Sequence, residues 1–439
     1  MDFLKKVLNV FFNKYIGLAI EFFSSVLLVG YLGANDYGQY TAIYVLPILL
    51  SSLGGFGFGP SIVYFINREG PSIRKYLWTF TSLGMIFGLI YITIIMFFYV
   101  EVNEIFYKGR VSNTLFLISL LFIPIIIIQK YLRSIIRGLY KIKIYSILLD
   151  IVAPFSRLAL IFGLIYIDYE LAGAVIIPIL VQSLITICMF VYLFYKSLNE
   201  VSSYFIGVAD LVTMTKFGLK TFLGSAILKS NNSIIMLIAT ALLSFRDLGI
   251  LSLAMKLLQL ISGFSGAILT VLMPKVSRST FEEIKKFIPR ISRTLFTMSF
   301  VGLFLYLLFV EYIVVYLYGM EFIDIVSLSI PLGIATILLP LSNTLMVAVT
   351  FTGDPIKKTY ARGAGMLINL ITCYPLFLAY NSLGLAISIA FSQLLTFYLA
   401  WFFYDRRFKD PLETNMFFIR ITDVLYYLEL IKNLKKRKV

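Results

Sequence analysis

Apolar segments of membrane-spanning length recur along the chain and limit the folds that it can adopt. The hydrocarbon core of a bilayer is about 30 Å thick, so a helix needs about 20 apolar residues to cross it. Such segments lie at 12–33, 40–64, 78–100, 112–130, 144–167, 172–195, 217–243, 248–273, 294–317, 325–349, 363–380 and 384–404. The sequence therefore predicts an all-α integral membrane protein with about twelve transmembrane helices.

Composition excludes an ordinary soluble fold. Of the 439 residues, 60% are hydrophobic and 14% are charged, whereas soluble domains are about 25% charged and 45–50% apolar. Histidine, the commonest metal ligand, is absent. Because no Cys, His or acidic residues cluster at metal-ligating spacing, we predict no metal site and no cofactor.

The distribution of charge predicts the topology. The net charge is +15, and 32 of the 38 lysines and arginines fall in regions on the side of the N-terminus, whereas the opposite loops hold only Lys108, Arg110 and Arg246. Cationic short loops stay in the cytoplasm. We therefore expect both termini to be cytoplasmic, in the inner membrane of a bacterium. This topology accounts for the basic excess without a nucleic-acid partner.

An internal repeat organises the twelve segments. The stretch 36–68 begins with Asp-Tyr-Gly and continues through an apolar, glycine-rich run, and 247–278 repeats this pattern. Asp36 and Gly38 correspond to Asp247 and Gly249 at a constant offset of 211 residues. Six helices per copy return each copy to its starting side, which predicts two parallel six-helix bundles around a central cavity.

The repeat also sets the predicted domain boundaries. We expect an N-terminal six-helix bundle at 1–195, a cytoplasmic linker at 196–216, a C-terminal six-helix bundle at 217–404 and a basic amphipathic cytoplasmic tail at 405–439. In the tail, apolar residues recur at helical spacing and acids interrupt any spanning run. An interfacial helix against anionic headgroups is the preferred interpretation, and a further spanning helix is the alternative.

Charged residues inside the predicted helices are candidates for function, since a charge in a bilayer is costly. They are Glu21, Asp150, Arg157, Lys229 and Lys256. The three cations suit an anionic ligand such as a phosphate or diphosphate, because Arg offers a fork of donors and Lys a point charge. Asp150 and Arg157 could instead form a structural pair on one helix face. Glu21 either balances a cation or carries a coupling proton, and Asp150 is a further candidate for charge balance or coupling.

Glycines and prolines cluster in both copies of the repeat. No Gly-Lys-Ser/Thr follows them, so a phosphate-binding loop is not indicated. Small residues allow close helix packing, and prolines bend helices. We therefore predict hinge or packing roles for Gly55, Gly57, Gly59 and Pro60 in the first copy, and for Gly263, Gly266 and Pro274 in the second.

Several short motifs stand out along the chain, namely L-G-A-N-D-Y-G-Q-Y at 32–40, G-F-G-F-G-P at 55–60, L-Y-G at 317–319 and the basic turn at 137–146. Together they resemble the motifs of polysaccharide flippases of the O-antigen type. These flippases belong to the multidrug/oligosaccharidyl-lipid/polysaccharide exporter superfamily. The resemblance implies a V-shaped pair of bundles that moves a polyprenyl-diphosphate-linked oligosaccharide outward by alternating access. The cavity cations Arg157, Lys229 and Lys256 would then contact the diphosphate.

Two other functions remain as alternatives at this point. An ion-coupled multidrug exporter of the same superfamily would carry mainly acids in its cavity. A membrane polymerase or glycosyltransferase would place catalytic acids in a large outward loop, and every outward loop here is short. The implied partners of a flippase are the lipid-linked glycan, membrane lipids, and polysaccharide polymerases and glycosyltransferases, and we expect no enzymatic activity.

Overall fold

Helices joined by short turns make up the protein over the residues described in a computed structural model, namely 2–69, 72–168, 170–200, 203–408, 417–420 and 422–423. No strand occurs in those ranges. The helices are α1 (Asp2–Leu53), α2 (Phe58–Glu69), α3 (Ile73–Phe97), α4 (Tyr99–Val102), α5 (Asn113–Leu120), α6 (Phe122–Gly138), α7 (Ile142–Ser146), α8 (Ala153–Ile167), α9 (Glu170–Ser197), α10 (Val208–Leu242), α11 (Phe245–Arg278), α12 (Phe281–Tyr318), α13 (Ile325–Phe351) and α14 (Pro355–Phe408). Two π-helical turns, Asn103–Tyr107 and Ile147–Val152, and a 3-10 turn, Met320–Phe322, lie between them.

Helix is the structure that an apolar chain of this kind must form, because it satisfies the backbone hydrogen bonds within one segment. In the described part of the chain, eight helical stretches are long and apolar enough to cross a membrane. The predicted class, an all-α membrane protein, is therefore confirmed. The exact count of twelve spans remains a prediction.

Two of the long helices are in fact pairs of helices joined at a sharp break. Gly33 in α1 has φ 70° and ψ 177°, and Asn381 in α14 has φ 51° and ψ −131°. Both values are non-helical, and positive φ is a conformation that glycine, and less often asparagine, tolerates. The breaks fall at the predicted ends of the segments 12–33 and 363–380.

The predicted helix 40–64 is wrong as one continuous element. Helix α1 ends at Leu53, and α2 begins at Phe58 after a turn. Gly57 in this turn has φ 73°, which favours glycine. The Tyr131 hydroxyl donates a hydrogen bond to the Gly54 carbonyl at 3.2 Å, so the interrupted backbone gains a partner within the protein.

Several helices also extend beyond their predicted ends. Helix α6 continues to Gly138, α12 begins at Phe281 and α14 begins at Pro355, whereas the corresponding predicted boundaries were 130, 294 and 363. Charged residues mark the added turns. Lys, Arg and Glu are good helix formers, so a change from apolar to charged sequence ends the apolar run without ending the helix.

Contacts between Cα atoms divide the chain into two compact units. The first comprises 1–253 and 314–323, and the second comprises 254–313 and 324–439. The division at 196–216 suggested by the repeat remains a prediction. Helix α10 already begins at Val208 within that stretch.

Small residues allow close packing in the first unit. A Cβ atom on Gly88 would overlap Pro124, and one on Gly84 would lie 2.7 Å from the Ile128 side chain, so α3 and α6 approach at these glycines. In a bilayer, such van der Waals contact is a main source of helix association. This packing holds α6 in place beside the candidate site.

Candidate functional site: an arginine chamber in the first unit

The candidate site is built around Arg157 on α8. A π-helical turn precedes this helix, and Pro154 occupies its first turn, where a missing backbone donor is tolerated. The Arg157 Nη2 atom donates a hydrogen bond to the Tyr40 hydroxyl at 3.4 Å. The Nε atom of Arg157 is buried and has no hydrogen-bond partner. A buried arginine donor without a partner is costly and is therefore available to a ligand.

A cavity of 380 Å³ lies beside the guanidinium group. All of its lining residues belong to the first unit: Tyr40, Thr41, Tyr44, Val45, Ile48, Phe122, Arg157, Pro178, Val181, Gln182, Ser233 and Met236. Among these described residues, Arg157 alone is charged. We refer to this cavity as the arginine chamber. Its size falls in the range of about 300–1,000 Å³ that is typical of small-molecule sites.

Aromatic residues form one wall of the chamber. The Tyr40 and Tyr44 rings lie 5.4 Å apart, and Tyr44 and Phe122 pack edge to face at 5.2 Å. The Tyr44 hydroxyl donates to the Val175 carbonyl. Because aromatic packing and this hydrogen bond fix the wall, the chamber is preformed rather than created by ligand binding.

A chain of amides runs from the chamber wall to a second arginine. The Gln129 Nε2 atom donates to the Gln182 Oε1 atom at 2.7 Å, and the Arg133 Nη2 atom donates to the Gln129 Oε1 atom. The Arg133 Nε atom is also buried without a partner. This network fixes the orientation of Gln182 at the chamber.

Glu21 and Asp150, the predicted charge-balancing residues, lie in different surroundings. Glu21 attracts Arg157 electrostatically. Asp150 instead accepts a hydrogen bond from the Ser146 hydroxyl at 2.6 Å, and Ser146 in turn accepts one from the Asn13 amide at 3.3 Å. Asp150 and Arg157, both in the described part of the chain, form no ion pair with each other. Glu21 therefore influences Arg157 by charge attraction, without an ion pair between these two described residues, whereas Asp150 is hydrogen-bonded to Ser146.

The predicted lysines lie on two other helices. Lys229 is on α10 in the first unit, and its side chain lies outside the described residues. Lys256 is on α11 in the second unit, where its side chain is partly buried. That the two lysines and Arg157 share one cavity remains a prediction.

The predicted hinge residues lie at a turn and along one helix. Gly55 and Gly57 form the turn between α1 and α2, and Gly59 and Pro60 are in the first turn of α2. Gly59 packs near the Ser134 hydroxyl, whereas a Cβ on Gly55 would meet nothing within 4 Å. The second set lies within α11: Gly263, Gly266 and Pro274. The surroundings of Gly266 and Pro274 lie outside the described residues, and the hinge role remains a prediction for both sets.

Arg133, Lys358 and Arg362 are among the cations that the apolar segments do not include, because those segments were ended where charges begin. Arg133 belongs to the candidate span Asn113–Gly138, and Lys358 and Arg362 belong to the candidate span Ile356–Phe408. A long helix that continues through its charged end would have included all three. Among the described residues, no group of three acids or cysteines is placed to hold a metal ion.

Solved structures with a similar fold are membrane transporters. One is described as "Lipid II flippase MurJ, inward closed conformation", with a TM-score of 0.73 and 17% identity over 96% of this chain and 89% of that chain. Another is an inward-facing multidrug resistance MATE family transporter of the MOP superfamily, with a TM-score of 0.70 and 13% identity over 90% of this chain and 94% of that chain. A MOP superfamily transporter from Pyrococcus furiosus has a TM-score of 0.66 and 15% identity over 93% of this chain and 96% of that chain.

These likenesses show that the chain shares its fold with transporters of the MOP superfamily, and the apolar helices define the class as a multi-pass membrane protein. The sequence model of a family described as "Polysaccharide biosynthesis protein" matches residues 3–280. The chain belongs to this polysaccharide biosynthesis family. No curated protein sequence matches the chain.

Proposed function

We propose that the protein is a flippase for a polyprenyl-diphosphate-linked oligosaccharide, such as an O-antigen or capsule repeat unit. It moves this lipid from the inner to the outer leaflet of the bacterial cytoplasmic membrane by alternating access. Both termini lie in the cytoplasm, where the Lys/Arg-rich loops are placed by the topology rule for short loops. The protein acts as a transporter and not as an enzyme.

The arginine chamber carries this proposal. It is a preformed cavity whose described lining holds one cation, and the Nε donor of that cation has no hydrogen-bond partner among the described residues. A diphosphate offers several anionic oxygens to such a donor, and an arginine binds two of them in its planar fork. We propose that Lys229 and Lys256 add point charges to the same ligand as it moves.

The charge of the transported molecule distinguishes the flippase from the alternative function, a multidrug exporter of the same superfamily. A multidrug exporter fits the fold equally well, since MATE transporters share it. A cationic drug, however, would meet the guanidinium group of Arg157 in a chamber whose described lining includes no carboxylate. A like charge in a site of low dielectric disfavours binding. The chamber therefore supports an anionic cargo.

The proposal is tested by transport in proteoliposomes loaded with a fluorescent polyprenyl-diphospho-oligosaccharide. The wild type should move the lipid between leaflets, and Arg157→Gln should slow this by about tenfold or more, since a charge-assisted hydrogen bond contributes about 1.5–3 kcal/mol. Lys229→Ala combined with Lys256→Ala should reduce the rate further. Arg406→Gln is the matched control, because it removes the same charge from an exposed position at the end of α14.

Substrate competition distinguishes the candidates. Inorganic pyrophosphate should inhibit the flippase, whereas a lipophilic cation should not. Inhibition by the cation together with full activity of Arg157→Gln would favour the multidrug exporter. A polymerase would instead join the oligosaccharides, which gel analysis of the recovered lipid would detect. In cells that lack the protein, lipid-linked repeat units should accumulate on the inner face. Glycosyltransferases that act before transport would continue to make them, and polymerases that act after transport would not receive them.

A further inference from the structure

Two cations lie one helical turn apart in the second unit, far along the chain from Arg157. Lys358 and Arg362 are both on α14, and both are partly buried. Residues at positions i and i+4 share a helix face, with Cβ atoms about 5–6 Å apart. Two like charges at this spacing repel each other, so the pair has to be balanced by something else.

The nearest acid along the helix is already engaged. Asp354 forms ion pairs with Lys357 at 2.8 Å and with Arg407 at 3.5 Å. Within the described part of the chain, Arg362 has a neutral partner, since its Nη2 atom donates to the Asn343 Oδ1 atom on α13. Lys358 has neither a hydrogen bond nor an ion pair among those residues. The charge of the pair is therefore not neutralised by the described protein.

The face that carries these cations is directed at protein rather than at lipid. Further along the same face of α14, Gly365 packs against Ser392 and Thr396, and Asn369 accepts a hydrogen bond from the Ser388 hydroxyl at 3.1 Å. Asn369 is 1% exposed, and its Nδ2 donor has no partner. A polar seam with one unused donor, the Asn369 Nδ2 atom, thus continues along this face from the two cations. An anion at Lys358 and Arg362 would lie at the end of this polar seam and not against hydrocarbon.

We propose that Lys358 and Arg362 form a phosphoryl-binding site in the second unit, separate from the arginine chamber. A phosphoryl group carries two or more anionic oxygens. The guanidinium group of Arg362 can bind two of them, and the ammonium group of Lys358, one helical turn away, adds a point charge. The occupant is either a phospholipid headgroup or a soluble phosphate or diphosphate, and these two sources share the same recognised group. The site does not depend on the flippase proposal, because it is defined by binding and not by transport.

The first experimental arm measures soluble anions. Full-length protein carrying Arg157→Gln, which removes the cation of the chamber, is placed in nanodiscs of phosphatidylcholine and titrated calorimetrically with inorganic pyrophosphate. Adding Lys358→Gln and Arg362→Gln should weaken pyrophosphate binding by about 100-fold. Each substitution removes one charge-assisted contact, which is expected to contribute about tenfold to the affinity. Lys357→Gln, a neighbour with the same charge, should change it by less than about twofold.

The second arm measures lipid. Native mass spectrometry counts the phosphatidylglycerol molecules retained by the protein from mixed vesicles, with the same variants. Loss of pyrophosphate binding supports the site with a soluble occupant, and loss of retained lipid alone supports it with a headgroup occupant. Unchanged binding in both arms for the Lys358→Gln/Arg362→Gln variant overturns the proposal. If that variant does not fold, Lys358→Gln alone carries the test with an expected tenfold loss in one arm, and Lys358→Arg should restore it.

Discussion

The hydroxyl groups of Thr41 and Ser252 are hydrogen-bonded at 3.2 Å, and these residues are 211 apart in the sequence. This is the offset that relates the two copies of the repeated stretch. Gly38 and Gly249, which share the offset, are also in contact, since a Cβ on Gly249 would lie 3.0 Å from the Gly38 nitrogen. Repeat partners that contact each other are expected near an axis relating parallel repeats. The repeated sequence thus marks a site of close helix packing.

Substitution of either glycine should separate α1 from α11. A Cβ on Gly38 would overlap the Phe245 carbonyl oxygen, and one on Gly249 would overlap the Ala34 carbonyl oxygen. Backbone atoms cannot move aside as a flexible side chain can, so Gly38→Ala should reduce the free energy of unfolding by about 3 kcal/mol. Thermal unfolding in detergent measures the loss. Gly30→Ala is the control, because its Cβ would meet nothing within 4 Å; equal melting temperatures for both variants would contradict the packing argument.

A second prediction concerns the break at Gly33. The Ala34 backbone N–H, the first after the break, donates to the Glu321 Oε1 atom at 3.2 Å. A carboxylate at a helix start satisfies a free N–H group and contributes about 1 kcal/mol. Glu321→Ala should therefore destabilise the protein by about that amount. Glu321→Gln, which keeps an acceptor oxygen, should recover part of the stability, and Glu311→Ala on the exposed face of α12 should have no effect. A stability of Glu321→Ala equal to that of the wild type would exclude this capping role.

Particular residues show which features of the fold and of the candidate site could be predicted from the sequence. The predicted segment ends at 33 and 380 lie at the breaks at Gly33 and Asn381, because a bilayer sets the span of a helix. Gly57 was predicted as a hinge or packing residue, but the turn that it forms was not predicted. An apolar run continues through this turn, so hydropathy alone does not show that the helix ends there. Arg157 was found by its charge in an apolar segment. Its partner Tyr40 could not be, because two residues 117 apart meet only through tertiary packing.

The tail shows the same limit. Asp423 looked like an interruption of an apolar run, whereas its carboxylate accepts hydrogen bonds from Arg293 at 2.7 and 2.9 Å and from Arg290 at 3.0 Å. Asp423 is fully buried. Phe417 and Phe418 pack on the Phe296 ring. The described tail residues are thus docked on α12, and the amphipathic helix predicted for most of 405–439 lies outside the described residues.

Removal of the Asp423 charge should release this docked segment. Asp423→Asn removes the carboxylate that pairs with the buried Arg293 and turns an amide donor toward it, at a cost of about 3 kcal/mol. The Ile419 amide, which donates to the Thr297 hydroxyl at 2.9 Å, should then exchange with deuterium on the order of 100-fold faster. The exposed Asp210→Asn removes an equal charge and should leave this exchange unchanged. Slow exchange in Asp423→Asn would mean that the aromatic contacts alone hold the segment.

The pH dependence of docking follows from the pKa of Asp423. Burial raises this pKa, but hydrogen bonds from Arg293, the Arg420 N–H and Arg290 outweigh burial and lower it to about 2, from an ordinary value of about 3.9. A carboxylate with a lowered pKa stabilises the docked state above its ordinary value, and this contribution is lost as the pH falls toward about 2. Exchange of the Ile419 amide, corrected for its intrinsic rate, should therefore be constant between about pH 5 and pH 8 and should accelerate below about pH 4. In Asp423→Asn, which has no titrating carboxyl group at this position, the acceleration should be absent, and an acid-induced release that persists in this variant would assign it to another group.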